Sequence, residues 1–247
     1  MKKKVITKTK KIFSSLLLFS IIIMSSCSSN DDNEVIIEEE LSEIVMQDFV
    51  DNIQALSVPS TLSNSNNQYA QQANAQFETL KTLSSSFAAF FILPSNAVSA
   101  KYVSKTAQKS NLLNSTKTYT WSSNGIMVEY TITEASDKYS FSYSVSSVDF
   151  TGKFMDGNQL KDGSYAVVNI YSEDNTLSST IKWWLNADVT KIELMSDDYT
   201  IVLESNGTDN SGSLKVYESS FLAALYTWNS NGTGSYIDYY SNETYTW

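Results

Sequence analysis

The sequence predicts an α+β protein: an N-terminal helical pair followed by an antiparallel β-meander sheet, either curved or rolled into an open barrel. Three observations lead there. Apolar residues recur at helical spacing up to about residue 93. From about Lys117 the period changes to two, with Tyr139, Phe141, Tyr143 and Val145 alternating with Ser140, Ser142, Ser144 and Ser146. Short turn signals separate many of the alternating runs.

The helical pair is read over residues 35–93. In the first helix Ile37, Leu41, Ile44, Phe49, Ile53 and Leu56 recur on one side. Glu38, Glu39, Glu40 and Glu43 occupy its first turns, where the helix dipole favours negative charge. Pro59 and the polar run Ser63 to Asn67 end it and form a loop. The second helix carries Ala73, Phe77, Leu80, Phe87 and Phe91 as a stripe and closes on apolar Phe87 to Leu93 before Pro94. Such stripes predict core packing. Residues 94–116 read as a linker and 117–247 as the antiparallel β domain.

Strand-like runs fall near 126–133, 139–145, 164–171, 180–187, 190–195, 199–204, 213–218, 222–228, 235–240 and 243–247. Asn124-Gly125, Asp156-Gly157, Asp162-Gly163, Asn206-Gly207 and Asn231-Gly232 are the turn signals, and nine to eleven strands are expected. Tyr119-Thr120-Trp121-Ser122-Ser123-Asn124-Gly125 recurs as Tyr226-Thr227-Trp228-Asn229-Ser230-Asn231-Gly232, and Tyr245-Thr246-Trp247 begins it again. Tyrosine and tryptophan two apart share a face, and Asn-Gly turns the chain, so the unit reads as a hairpin element. Alternation puts Tyr119, Trp121, Tyr130, Tyr139, Phe141, Tyr143, Trp183, Tyr199, Tyr226, Trp228, Tyr239, Tyr245 and Trp247 on one apolar face. That face is expected to be core under the helices; the alternative is an aromatic-lined cup for an apolar ligand. Trp184 points away from Ile181, Trp183 and Leu185. Tyr236, Asp238 and Tyr240 point away from Ile237 and Tyr239. Trp184, Tyr236 and Tyr240 are therefore the candidate ligand-facing aromatics, suited to stacking on sugar rings, with cross-strand packing or a dimer contact as the competing uses.

The N-terminus carries an address. Lys2, Lys3, Lys4, Lys8, Lys10 and Lys11 precede an apolar run from Ile12 to Met24, the pattern of a signal peptide too short to span a bilayer comfortably. Met24-Ser25-Ser26-Cys27 then resembles the lipobox of bacterial lipoproteins, with Met24 standing where leucine is commonest. The resemblance implies cleavage between Ser26 and Cys27, removal of residues 1–26, and lipidation of the Cys27 sulfur. Two or three acyl chains there would give stable anchoring, which one chain does not. The segment 27–34, Cys27 through Ser28-Ser29-Asn30-Asp31-Asp32-Asn33-Glu34, is similar to the acidic tether of surface-exported lipoproteins of the Bacteroidota. It implies an outer-membrane protein, facing either the surface or the periplasm. The β domain is similar, at the level of fold alone, to the Gly/aromatic β-meanders of other lipoproteins. The final Trp247 also resembles the terminal signal of outer-membrane barrels, but several strands are too short to span a membrane.

Composition removes whole chemistries. One cysteine, no histidine and no arginine exclude an internal disulfide, His-based catalysis, a thiolate zinc cluster and bidentate arginine recognition of phosphate. Six of the 17 lysines precede Cys27, so the processed chain carries 11 lysines against 27 acidic residues, a net charge of −16. Such a surface repels nucleic acid.

The remaining chemical candidates are sparse. Glu193, Asp197, Asp198 and Glu204 lie within a dozen residues, and a facing pair across a cleft would suit glycoside hydrolysis. The loop Asn206 to Gly212 offers oxygen ligands but a single carboxylate, too few for a calcium loop. Ser179-Thr180-Ile181-Lys182 matches the Ser-x-x-Lys pattern but reads as a strand, which points the two side chains to opposite faces. The expectation is a non-enzymatic lipoprotein with a binding or structural role at the envelope, needing no metal or cofactor. Its partners would be the membrane, through the anchor, and a glycan or protein ligand. A periplasmic-side carrier of an apolar ligand and a carboxylate-dependent hydrolase are the alternatives.

Overall fold

A computed structural model describes residues 47–100 and 115–247. Helix α1 (Gln47–Ala55) and the short α2 (Ser60–Ser63) lead into α3 (Gln68–Ser86), which tightens into a 3-10 turn at Phe87–Phe91. Thirteen strands follow: β1 (Val98–Ala100), β2 (Ser115–Ser123), β3 (Ile126–Glu134), β4 (Lys138–Ser146), β5 (Thr151–Leu160), β6 (Tyr165–Tyr171), β7 (Leu177–Leu185), β8 (Val189–Ser196), β9 (Tyr199–Asn206), β10 (Gly212–Glu218), β11 (Phe221–Trp228), β12 (Gly234–Asp238) and β13 (Glu243–Thr246). Each pairs antiparallel with its neighbour in chain order, a single meander that does not close into a barrel.

Helix α3 begins where Asn67 caps it, its side-chain oxygen accepting from the backbone of Tyr69 at 2.9 Å and Ala70 at 3.4 Å. Ala70, Ala73, Phe77, Leu80 and Leu83 make its buried stripe, and the weak helix formers Ser84, Ser85 and Ser86 precede the change to 3-10 geometry. The start of the helix meets the last hairpin, with Tyr69 stacked on Tyr236 and Tyr245. Phe77 packs edge-on to Trp228 of β11. At the other end Phe90 and Phe91 reach Tyr130, Phe141, Tyr143 and Phe154 of β3 to β5. Strands lie about 4.8 Å apart and a helix is about 10–12 Å across, so one helix cannot cover a flat sheet of this width. Yet Ala166, Val168, Ile181, Trp183 and Ile192 of β6 to β8 are buried in one cluster with the helical residues. The sheet therefore curls around α3, and the aromatic face is core.

The hairpin repeat behaves as read. Asn124-Gly125 forms the two-residue β2–β3 turn with positive φ at both positions, and Tyr119 and Trp121 face the core beside it. In the second copy Trp228 is buried, and Gly232 lies under the helical segment. A Cβ on Gly232 would collide with Thr61, whose hydroxyl donates to Asn231 O.

Three expectations need correction. The strand count is thirteen, because β1 lies within the segment read as linker and β5 runs through Asp156-Gly157, read as a turn. Gly157 sits mid-strand because a Cβ there would strike the Val167 carbonyl and the ring of Phe141 that lies over it. The face of β12 is inverted: Tyr236 pairs with Tyr226 and Tyr245 and packs against the core, while Tyr239 is absent from the core cluster. Ser26, Cys27 and the first part of the first helix lie outside the described residues.

Candidate functional site

With the inner face filled, the outer face and the ends of the strands hold the accessible chemistry. Register sets the outer rows. Tyr165, Trp184, Lys191 and Glu204 stand side by side across β6 to β9. The next row is Val167, Lys182, Glu193, Val202 and Lys215.

Trp184 is on the outer face, as its alternation with Trp183 requires, but it is half-buried. Its ring centroid lies 5.4 Å from that of Tyr165, and the Lys191 ammonium sits 4.3 Å above it. A sugar stacking there would have to displace Lys191. The four clustered carboxylates do come together: Glu193, Asp197, Asp198 and Glu204 line one open depression of about 450 Å³ over β8 to β10. Lysines occupy it too. Glu193 meets Lys182 at 3.3 Å and Lys191 at 3.5 Å, and Glu204 meets Lys215 at 3.4 Å. Glycoside hydrolysis needs one carboxyl kept as a proton donor, usually by an apolar setting, and neither glutamate has one.

A second outer depression, about 290 Å³, lies over Thr131, Thr133, Ser140, Ser142 and Asp156. Asp156 accepts from Lys153 at 2.8 Å, Asn169 at 2.9 Å and Tyr171 at 3.0 Å. Burial raises its carboxyl pKa, but these hydrogen bonds outweigh burial and the net shift is downward. Asp156 is a satisfied anion and not a proton donor.

Tyr240 is exposed at the β12–β13 turn, with its hydroxyl on Glu218 and its ring against Phe221. Desolvation, together with the charge and hydrogen bond of Glu218, raises its phenol pKa. Tyr236 instead packs on the inner face, where burial and then the neighbouring Asp238 and Tyr69 push its phenol up to about 12. Thus of the three candidate aromatics only Tyr240 keeps a largely free ring. Phe221 went unread because it stands next to the Ser219-Ser220 turn, 19 positions before Tyr240 in sequence, and only the turn geometry joins them.

The Asn206–Gly212 loop is closed by its own side chains: Asn206 accepts from Thr208 N and Asp209 from Ser211 N. Among the described residues no group of three or more Cys, Asp or Glu side chains is arranged to hold a metal. No described helix is long and apolar enough to cross a membrane. No protein-family model matches the chain, and no curated protein and no solved structure is significantly similar to it.

Proposed function

We propose that the chain is a lipid-anchored protein of the outer membrane that works by binding, through the outside of its sheet, and not by catalysis. The observation that carries the reading is the position of α3. Phe77, Leu80 and Phe87 fill the inner aromatic face, so a ligand has the outer face and the turns to contact. The anchor rests on Cys27, the sole cysteine, placed directly behind a basic and apolar leader. The acidic segment that follows it fits display at the cell surface and attachment facing the periplasm equally. The paired lysines of the depression count against a hydrolase.

Metabolic labelling with a palmitate analogue tests the anchor. The wild-type chain should take up label and lose residues 1–26, and the Cys27→Ala chain should do neither. Label retained by Cys27→Ala would overturn the lipoprotein reading. A glycan array read with wild type and Trp184→Ala tests the outer face as a sugar site.

A further inference from the structure

Turns of an antiparallel meander alternate between the two ends of the sheet, so the β8–β9, β10–β11 and β12–β13 turns share one end. They also touch. The Ser219 N–H donates to Asp198 O at 2.6 Å, and the Tyr240 hydroxyl donates to Glu218 Oε2 at 3.2 Å. Asp238 Oδ1 accepts from the backbone of Tyr240 and Ser241. At the middle of this rim the rings of Phe221 and Tyr240 lie 5.0 Å apart, 46% and 64% exposed. Residues 197–198, 218–221 and 238–243 supply five carboxylates, Asp197, Asp198, Glu218, Asp238 and Glu243, and no lysine. Lys191 and Lys215 of the adjoining depression already face Glu193 and Glu204. The rim therefore presents an exposed aromatic pair with Glu218 and Asp238 in contact with Tyr240 and three more carboxylates on the same three turns.

We infer that this rim docks a basic segment of a partner protein, with a lysine or arginine side chain over the Phe221–Tyr240 pair and the surrounding carboxylates facing its charge. The proposal deepens the binding reading and rests on it. Aromatic faces attract cations through the negative charge on the ring plane. The carboxylates add long-range attraction for a basic partner and repel anionic lipid and nucleic acid. A neutral sugar would use the rings but gain nothing from five carboxylates.

The test uses the full chain in a nonionic detergent and fluorescein-labelled decalysine as the probe, read by fluorescence anisotropy. Wild type should bind. Phe221→Ala and Tyr240→Ala should each weaken binding about fivefold, the size of one exposed cation–ring contact. Glu218→Gln should weaken it comparably, while Tyr240→Phe, which keeps the ring, and Trp184→Ala should bind like wild type. The aromatic residues are exposed, so these variants should fold, and Glu218→Gln is an independent check that removes only charge. Equal binding by Phe221→Ala, Tyr240→Ala and wild type would mean that net charge alone attracts the peptide, and would overturn the proposal. Absence of decalysine binding would overturn it as well. A glycan bound in the array without any decalysine binding would remove the rim site and leave the binding reading standing; silence in both assays would remove the rim site and the sugar site and leave a scaffold or another protein partner.

Discussion

Tyr69, the second residue of α3, stacks on Tyr236 of β12 with ring centroids 4.7 Å apart and planes 14° from parallel. It stacks equally on Tyr245 of β13, at 4.4 Å, and Tyr236 in turn packs on Tyr226 at 4.7 Å. The start of the helix is thereby clasped by the last hairpin, while its far end is held by β3 to β5. This clasp is why the inner face is closed and why Tyr236 is unavailable to a ligand.

Loss of the clasp should be local. Tyr69→Ala removes two aromatic contacts, each worth about 0.5–1.5 kcal/mol beyond area burial, so a loss of about 2 kcal/mol is expected in urea melts. Tyr69→Phe keeps the rings and should cost less than about 0.5 kcal/mol. Hydrogen exchange in Tyr69→Ala should accelerate over β12 and β13 before the rest of the sheet. Uniform acceleration would mean that Tyr69 serves the whole core.

Trp183 and Trp184 are adjacent and opposite. Trp183 is 0% exposed between Ala166 and Ile192, and Trp184 shares the outer face with Tyr165 and Lys191. Trp183→Ala should cost about 3–5 kcal/mol as a buried aromatic. Trp184→Ala should cost about 1 kcal/mol, because it loses a cross-strand ring contact and a cation contact. Urea midpoints of the two variants decide it, and the reverse order would shift the register of β7 by one residue.

Alkaline pH should unfold the chain through its tyrosines. Burial raises the phenols of Tyr130, Tyr143 and Tyr226 above the ordinary value of 10.0, and Tyr236 reaches about 12. The folded state then holds protons that the unfolded state releases. The stability contributed by these neutral phenols is whole below about pH 10 and is lost as pH rises through the folded values. Urea midpoints should stay flat up to that pH as far as tyrosine is concerned and then fall. Tyr236→Phe should fall less steeply between pH 10 and 12, since it has no phenol to ionise there. An unchanged slope in Tyr236→Phe would assign the loss to other groups.

The larger elements were legible because their patterns had a single solution. Tyr139 to Ser146 alternates without exception, and Phe77, Leu80, Phe87 and Phe91 fall on one helical side. The misreadings have identifiable physical causes. Asp156-Gly157 has turn chemistry, but Gly157 is there for the approach of Phe141 and the Val167 carbonyl. In the run 235–240 the large side chains Tyr236, Ile237, Tyr239 and Tyr240 fill both parities, so alternation alone is degenerate. Only the pairing of Tyr236 with Tyr226 and Tyr245 settles its face. The rim was invisible because Phe221 and Tyr240 meet only once two hairpins are closed.

Binding confined to the outside of the sheet requires α3 to be its interior and not a removable lid. Hydrogen exchange of the full chain measures this directly. The amides of α3 around Phe77 and Leu80 should exchange as slowly as those of β3, β7 and β9, at the rate set by global unfolding. Exchange of α3 orders of magnitude faster, with the sheet still protected, would show a helix that leaves the inner face open. That face would then be an aromatic cup for an apolar ligand, contradicting binding confined to the outside.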